Sequence, residues 1–379
     1  MFGVAALYSG MWYFQWVKGG GWEGAWGQLG WFSGMVCVGS VAGAVAWGAS
    51  MQSNAFFYEA AVPGVTPQQI YTLYASAGRF NAVLCIFYGL EFLCLIISKL
   101  MLLGRLAANA TQSSQAVVTE MSGVRRRWLS ARALPNVYRV MAGAVVVGGV
   151  LGMVADIVAG VYFVQTGLLA DQAAVACDAA GNDTNSSLAL SNAASAINTK
   201  AGTASSVQSI SEALTLLLVS IAFLVIVSWS VALFRLSERE AARALQSVNG
   251  RGNIRPSEAN AARIVADAMQ AAAEHRRRLT AACVIVLITF PARSALDLLL
   301  AYADFNALYN PACGTCDSCQ SNQVLINNWL TYTPEFQPIV VAVSSPLPLT
   351  LSLWLVTKAH ARVRLIAADV ERARAGDGM

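Results

Sequence analysis

Histidine and charge are what this sequence has least of. Its 379 residues include two histidines, His275 and His360, and only 12% are charged. Both histidines are flanked by basic residues, and neither has a cysteine or serine partner at a recognisable spacing, so nucleophilic triads and histidine-based metal centres find no footing. A phosphate-cradling glycine loop is missing, and no surface interleaves basic and aromatic residues as nucleic-acid binders do. The expectation is a protein without catalytic activity, cofactor, metal or nucleic-acid partner. So little charge beside 56% hydrophobic residues also excludes an ordinary soluble domain, and it makes the lipid bilayer the chain's main solvent.

A hydrocarbon core about 30 Å thick takes roughly 20 apolar residues of helix to cross. Six runs meet that length: Trp31 to Ala49, Ala82 to Leu103, Val140 to Gln165, Ala213 to Leu236, Leu279 to Tyr302 and Pro338 to Thr357. A seventh, Met1 to Val17, is rich in aromatics (Phe2, Tyr8, Trp12, Tyr13, Phe14, Trp16) and short for a span. It shows no charged face, which an interfacial helix normally has, so it is read as crossing. Lys18 follows this run instead of preceding it, unlike the pattern of a cleavable signal peptide. The fold class expected is all-α: a polytopic transmembrane helical bundle of seven spans, or six if the first segment lies flat. Residues 1–365 form one transmembrane domain and 366–379 a cytoplasmic tail.

Lysine and arginine set the orientation, because basic flanks resist translocation. Lys99 to Arg139 carries Lys99, Arg105, Arg125, Arg126, Arg127, Arg132 and Arg139, and Arg235 to Arg278 is richer still. The alternate loops carry only Arg79 and Lys200. Both basic loops and the C-terminal tail are therefore expected in the cytoplasm, in the plasma membrane or an endomembrane.

The basic loops read as helical extensions, at about 104–138 and 237–278. Pro256, Ser257 and Glu258 give a helix start, and the Ala-rich run leads without a breaker into the Leu279 span. The clusters Arg125, Arg126, Arg127 and Arg276, Arg277, Arg278 are topology determinants first, and a docking surface for acidic lipid or for a cytoplasmic or membrane protein partner second. Oligomeric state is not legible. Gly30 with Gly34, Gly39 with Gly43 and Gly148 with Gly152 have the four-residue spacing that lets helices approach closely in lipid, more simply within one chain than across a dimer.

Four cysteines fall in the outer loops: Cys177, and Cys313, Cys316 and Cys319. On an oxidising face they suggest two disulfides of open connectivity, and Cys85, near the outer end of its span, is another possible partner for Cys177. Asn182-Asp-Thr and Asn185-Ser-Ser are glycosylation acceptors in the polar, Ser- and Ala-rich outer loop, of which at most one is expected to carry sugar.

Charges inside the spans are the best functional pointer, since an unpaired ion in lipid is costly and must face the bundle interior. They are Glu91, Asp156, Arg293 and Asp297. Arg293 and Asp297 are four residues apart and can pair on one helix face; Asp156 is expected at their depth, and Glu91 nearer the middle. Such an intramembrane polar cluster is either a pocket for a ligand or proton, or a structural ion-pair network that fixes helix register. Paired broken helices and internal repeats, the marks of a transporter, are not found.

The stretch Glu274-His-Arg-Arg-Arg-Leu279, then Thr289-Phe-Pro-Ala-Arg293-Ser-Ala-Leu-Asp297 and Tyr302-Ala-Asp-Phe305, resembles the sixth span of the plant tobamovirus-multiplication-protein family. Pro346-Leu-Pro-Leu-Thr-Leu-Ser-Leu-Trp354 followed by Lys358 resembles that family's last span. The resemblance implies a receptor-like seven-helix bundle without enzymatic activity; the cysteine-bearing and long polar outer loops depart from it. Rhodopsin-like motifs are also missing: Ser98-Lys99-Leu100 stands where an acidic-Arg-aromatic triplet would be, and the last span lacks Asn-Pro-x-x-Tyr. The function expected is a receptor-like seven-span protein, with an accessory subunit of a larger assembly as the alternative and a transporter or channel as a weaker one.

Overall fold

The computed structural model describes residues 1–18, 24–118, 133–179, 184–249, 256–309, 336–352 and 354–355. Among the described residues there are helices and no strand. They are α1 (Phe2–Lys18), α2 (Gly24–Ala60), α3 (Pro67–Val118), α4 (Ala133–Ala179), α5 (Thr184–Asn249), α6 (Pro256–Tyr309) and α7 (Phe336–Ser344), with a further helical stretch at 346–352. Five segments are long and apolar enough to cross a membrane: Gly30–Ala60, Pro67–Ala108, Leu134–Cys177, Ser186–Ala232 and Arg276–Leu299. The chain is thus a helical integral membrane protein.

Several helices far exceed one bilayer. The 66 residues of α5 rise about 99 Å at ~1.5 Å per residue, against a core of about 30 Å. Of the extensions expected at about 104–138 and 237–278, the described parts are helical, as α3 runs to Val118, α5 to Asn249 and α6 starts at Pro256, and residues 119–132 and 250–255 lie outside the described residues. In the long polar loop between the Val140 and Ala213 spans, the described residues are instead helical. α4 continues to Ala179, and α5 starts at Thr184. Alanine, the strongest helix former, recurs through this segment, and Ala173, Ala174, Ala194 and Ala201 are buried on its inner side. A polar sequence with a small-residue stripe has formed a helical hairpin.

The chain divides into two compact units: Met1–Ile97 with Ala144–Leu217 and Phe290–Leu347, and Ser98–Gly143 with Leu218–Thr289 and Pro348–Met379. In the first unit, α1 lies antiparallel to α2: Phe2 meets Gly43, the Cys37 thiol donates to the Ala6 carbonyl at 3.4 Å, and Tyr13 meets Gly34. Val4, Leu7, Met11 and Phe14, at helical spacing, are exposed along the outside of α1, a surface suited to lipid. The α2–α3 turn passes through Gly64 at φ +94°, where a residue without Cβ is favoured. Thr66 then starts α3 with a reciprocal cap. Its amide donates to Gln69 Oε1 at 3.0 Å, the Gln69 amide donates to Thr66 Oγ1 at 3.3 Å, and Pro67 takes the first helical position, where its missing N–H costs nothing.

Glycines set the approach of α3 to α4. A Cβ on Gly78 would lie 3.0 Å from the Phe163 carbonyl oxygen, one on Gly167 3.0 Å from the Ala75 oxygen, and one on Gly149 3.3 Å from Leu93. The three four-residue pairs found in the sequence also include positions packed within the chain: Gly39 against Leu95, Gly43 against Phe2 and Glu91, Gly148 against Thr215. Ser211 on α5 donates to the Gly148 carbonyl at 3.1 Å. Phe2, Trp47, Leu296, Val341 and Ala342 close a buried apolar cluster, with Tyr88 packed against it.

In the second unit, Tyr138 on α4 donates to the Leu100 carbonyl at 3.0 Å and lies over Gly104. Ser352 donates to the Ala282 carbonyl at 3.3 Å. Buried Leu103, Leu106, Leu134, Phe223, Ile226, Leu279 and Val286 supply its apolar interior.

Candidate functional site

The strongest polar feature lies in the first unit. Arg293, one turn from Asp297 on α6, is 1% exposed and yet carries a charge. A buried guanidinium is sustained only when its donors are matched. Its Nε donates to Glu212 Oε1 on α5 at 2.9 Å, and its Nη2 donates to the same oxygen and, at 2.9 Å, to Tyr88 Oη on α3. Asp297 Oδ1 is 3.8 Å from Nε, and Glu91 Oε1 on α3 is 4.0 Å from Nη1. The guanidinium also sits 5.2 Å from the Tyr88 ring centre and 5.8 Å from that of Phe92, within cation–π range. One cation thereby ties α3, α5 and α6 together.

The network continues along α5. Gln208 Nε2 donates to Glu212 Oε2 at 2.6 Å, and Ser209 Oγ donates to Gln208 Oε1 at 3.2 Å. Ser206, Ser209, Glu212 and Thr215 recur every three residues and are all buried, so a polar stripe faces inward toward the hairpin end of α5. Trp47 packs edge-on against Tyr88 at 5.7 Å between ring centres. Its Nε1–H is buried without an acceptor among the described residues, an arrangement that costs about 1–3 kcal/mol.

The four charges picked out in the sequence are all buried in this unit. Glu91, Arg293 and Asp297 meet. Asp156 on α4 stands beside them rather than in contact: it packs on Gly89, where a Cβ would come within 2.8 Å of its Oδ2, and it interacts electrostatically with Cys85, Glu212 and Arg293. The pairing expected of Arg293 with Asp297 on one helix face is present at 3.8 Å, but Glu212 on the facing α5 comes closer, at 2.9 Å from Nε, and Glu91 on α3 comes within 4.0 Å of the same guanidinium. Glu212 and Tyr88 were not anticipated.

The chain matches no known protein family, no characterised protein and no solved structure. What the site can do therefore follows from its geometry alone. Among the described residues, no three His, Cys, Asp or Glu side chains are grouped to hold a metal ion.

Cys85 and Cys177 are both free thiols, so the link suggested between them is not formed. Cys85 packs near Gly160 on α4, and Cys177 lies 17 residues further along that helix (177 − 160), about 25 Å at ~1.5 Å per residue, far beyond disulfide reach. Cys313, Cys316, Cys319, Asn182, Arg125, Arg126 and Arg127 lie outside the described residues. Asn185 falls in the first turn of α5. Of the second basic cluster, Arg278 pairs with Glu274 one turn earlier, Arg277 is exposed and Arg276 is partly buried.

Proposed function

We propose that the chain is a receptor-like, seven-span integral membrane protein without catalytic activity, whose working centre is the Arg293 network. The observation that carries this reading is a single buried guanidinium shared by carboxylates and a tyrosine on three helices. A ligand that displaces any one of these partners changes how α3, α5 and α6 are tied. In this reading α1 is the first span: its apolar outer face and antiparallel packing on α2 suit lipid, and its 17 residues reach the lower limit for crossing. With 338–357 read as the last span, the C-terminus and the basic segments Lys99–Arg139 and Arg235–Arg278 lie in the cytoplasm, where they would engage a partner.

A second reading is an accessory subunit of a larger membrane assembly. It is favoured by α3 to α6, which run from 47 to 66 residues and extend well past a bilayer, offering contact surface on both sides. Purification in mild detergent, with crosslinking and mass spectrometry, separates the two. A monodisperse lone bundle supports the receptor-like reading, whereas protein neighbours in fixed ratio overturn it in favour of the subunit.

A further inference from the structure

One buried donor and one buried acceptor of the first unit go without their usual partners. Trp47 on α2 is 6% exposed, and its Nε1–H has no acceptor among the described residues. On α7 the shortfall is of the opposite kind. The Ala342 carbonyl would accept the backbone N–H of residue 346 in an uninterrupted helix, and residue 346 is proline, which has none. The hydrogen bonds of this turn go to its neighbour instead: the Val341 carbonyl accepts from the Ser345 amide at 3.1 Å and from Ser344 Oγ at 3.2 Å. Within a membrane, a carbonyl freed by proline needs another donor. Trp47 and Ala342 belong to one buried apolar cluster with Phe2, Leu296 and Val341, yet the indole N–H bonds no carbonyl there.

We infer that this cluster is a binding site for an apolar alcohol drawn from the bilayer, a molecule with one hydroxyl on a hydrocarbon body. A hydroxyl meets both demands at once, since its oxygen accepts from Trp47 Nε1–H while its own proton goes to the Ala342 carbonyl. A ketone or carboxylate would answer only the indole, and an ammonium only the carbonyl. The rest of the site is hydrocarbon, so the body of the ligand is apolar too. Its way in is from lipid. Phe2, at 9%, is the most exposed member of the cluster, and the two helices that carry Phe2 and Ala342 also expose Val4 and Leu7 on α1 and Ile339 and Val343 on α7. The Phe2 ring is the cover: it lies so close to α2 that a Cβ at Gly43 would come within 2.5 Å of it, and the entering ligand displaces it. Tyr88 packs edge-on against Trp47 and accepts from Arg293 Nη2 at 2.9 Å, so a ligand held by the indole is one residue from the guanidinium.

The inference rests on the receptor-like reading and names the class of ligand for it. Photolabelling of the full chain in lipid nanodiscs tests it, with two diazirine probes, one of cholesterol and one of a diacylglycerol, and with labelled peptides mapped by mass spectrometry. One probe should label α1, α2 or α7 at the cluster, and which one does so tells a sterol from a chain alcohol. An excess of the unmodified alcohol should suppress that labelling, while its counterpart without the hydroxyl, cholestane or a diester of 1,2-propanediol, should not. W47F removes the donor and P346A returns an N–H to the Ala342 carbonyl, so each should weaken labelling about three- to tenfold, with R79Q at the surface unchanged. Labelling by neither probe, or equal suppression by the compounds lacking a hydroxyl, would overturn the site without any variant having to fold. Labelling indifferent to both W47F and P346A would overturn it as well. A lone bundle that takes no alcohol leaves the receptor-like reading standing without this ligand, whereas neighbours in fixed ratio overturn that reading whatever the probes show.

Discussion

Substitution of Arg293 by glutamine removes the cation while keeping a polar side chain. Glu212 then keeps only the 2.6 Å hydrogen bond from Gln208, and Tyr88 Oη loses a donor. Removing one member of a buried pair costs about 3–5 kcal/mol, because the charge left behind is uncompensated. The Arg79–Asp171 pair is the control, with side chains 56% and 34% exposed; breaking an exposed pair costs about 0–1 kcal/mol. Thermal unfolding in detergent, followed by tryptophan fluorescence, reads both. At about 2–4 °C per kcal/mol, R293Q should lower the midpoint on the order of 10 °C, and R79Q by no more than about 4 °C. R293Q/E212Q should recover part of the loss, since the stranded carboxylate is gone. Equal, small shifts for R293Q and R79Q would refute the view that this guanidinium holds three helices together.

Three further outcomes follow from the packing. G78A should destabilise by about 1–3 kcal/mol, because its Cβ would meet the Phe163 carbonyl at 3.0 Å and Gly167 Cα at 3.3 Å, and backbone cannot swing aside; denaturation midpoints check it. G202A, at a helical position with nothing within 4 Å, should stabilise by about 0.5–1 kcal/mol in the same assay. A maleimide probe on the folded chain should label Cys177, which is partly exposed, well before Cys94 and Cys283, which are buried; equal labelling rates would contradict the packing of α3 and α6.

What the sequence disclosed depended on contrast. Glu91, Asp156, Arg293 and Asp297 stand out because each interrupts an apolar run, and all four are buried together. Glu212 did not stand out because the apolar run begins one residue later, at Ala213, so the glutamate reads as the edge of a loop. Its signal was the three-residue recurrence of Ser206, Ser209, Glu212 and Thr215 on a helix that continues past the apolar run. Tyr88 was hidden for the opposite reason: a tyrosine within an apolar run reads as packing until a cation is found over its ring. The hairpin of α4 and α5 was missed because apolar windows register lipid contact and not helix, and an Ala- and Ser-rich helix outside the hydrocarbon looks like a loop to them.

The glycine pattern shows the same limit at longer range. A four-residue template finds Gly148 and Gly152, but the closest backbone approaches of α3 and α4 use Gly78 and Gly167. On α4, Gly149, Gly160 and Gly167 are 11 and then 7 residues apart, which sum to 18, or five turns at ~3.6 residues per turn. A straight helix therefore returns all three to one face, whereas a strict seven-residue repeat would drift and impose a supercoil. On α3, Gly78 and Gly89 repeat the interval of 11, so the facing helix offers its gaps in step over the same length. Close contact on this face leaves no room for side chains between the helices and presses Asp156 directly onto Gly89. The glycines that let α3 and α4 meet are thus also what fixes a carboxyl group of the polar centre in place, and fold and site are coupled at one residue.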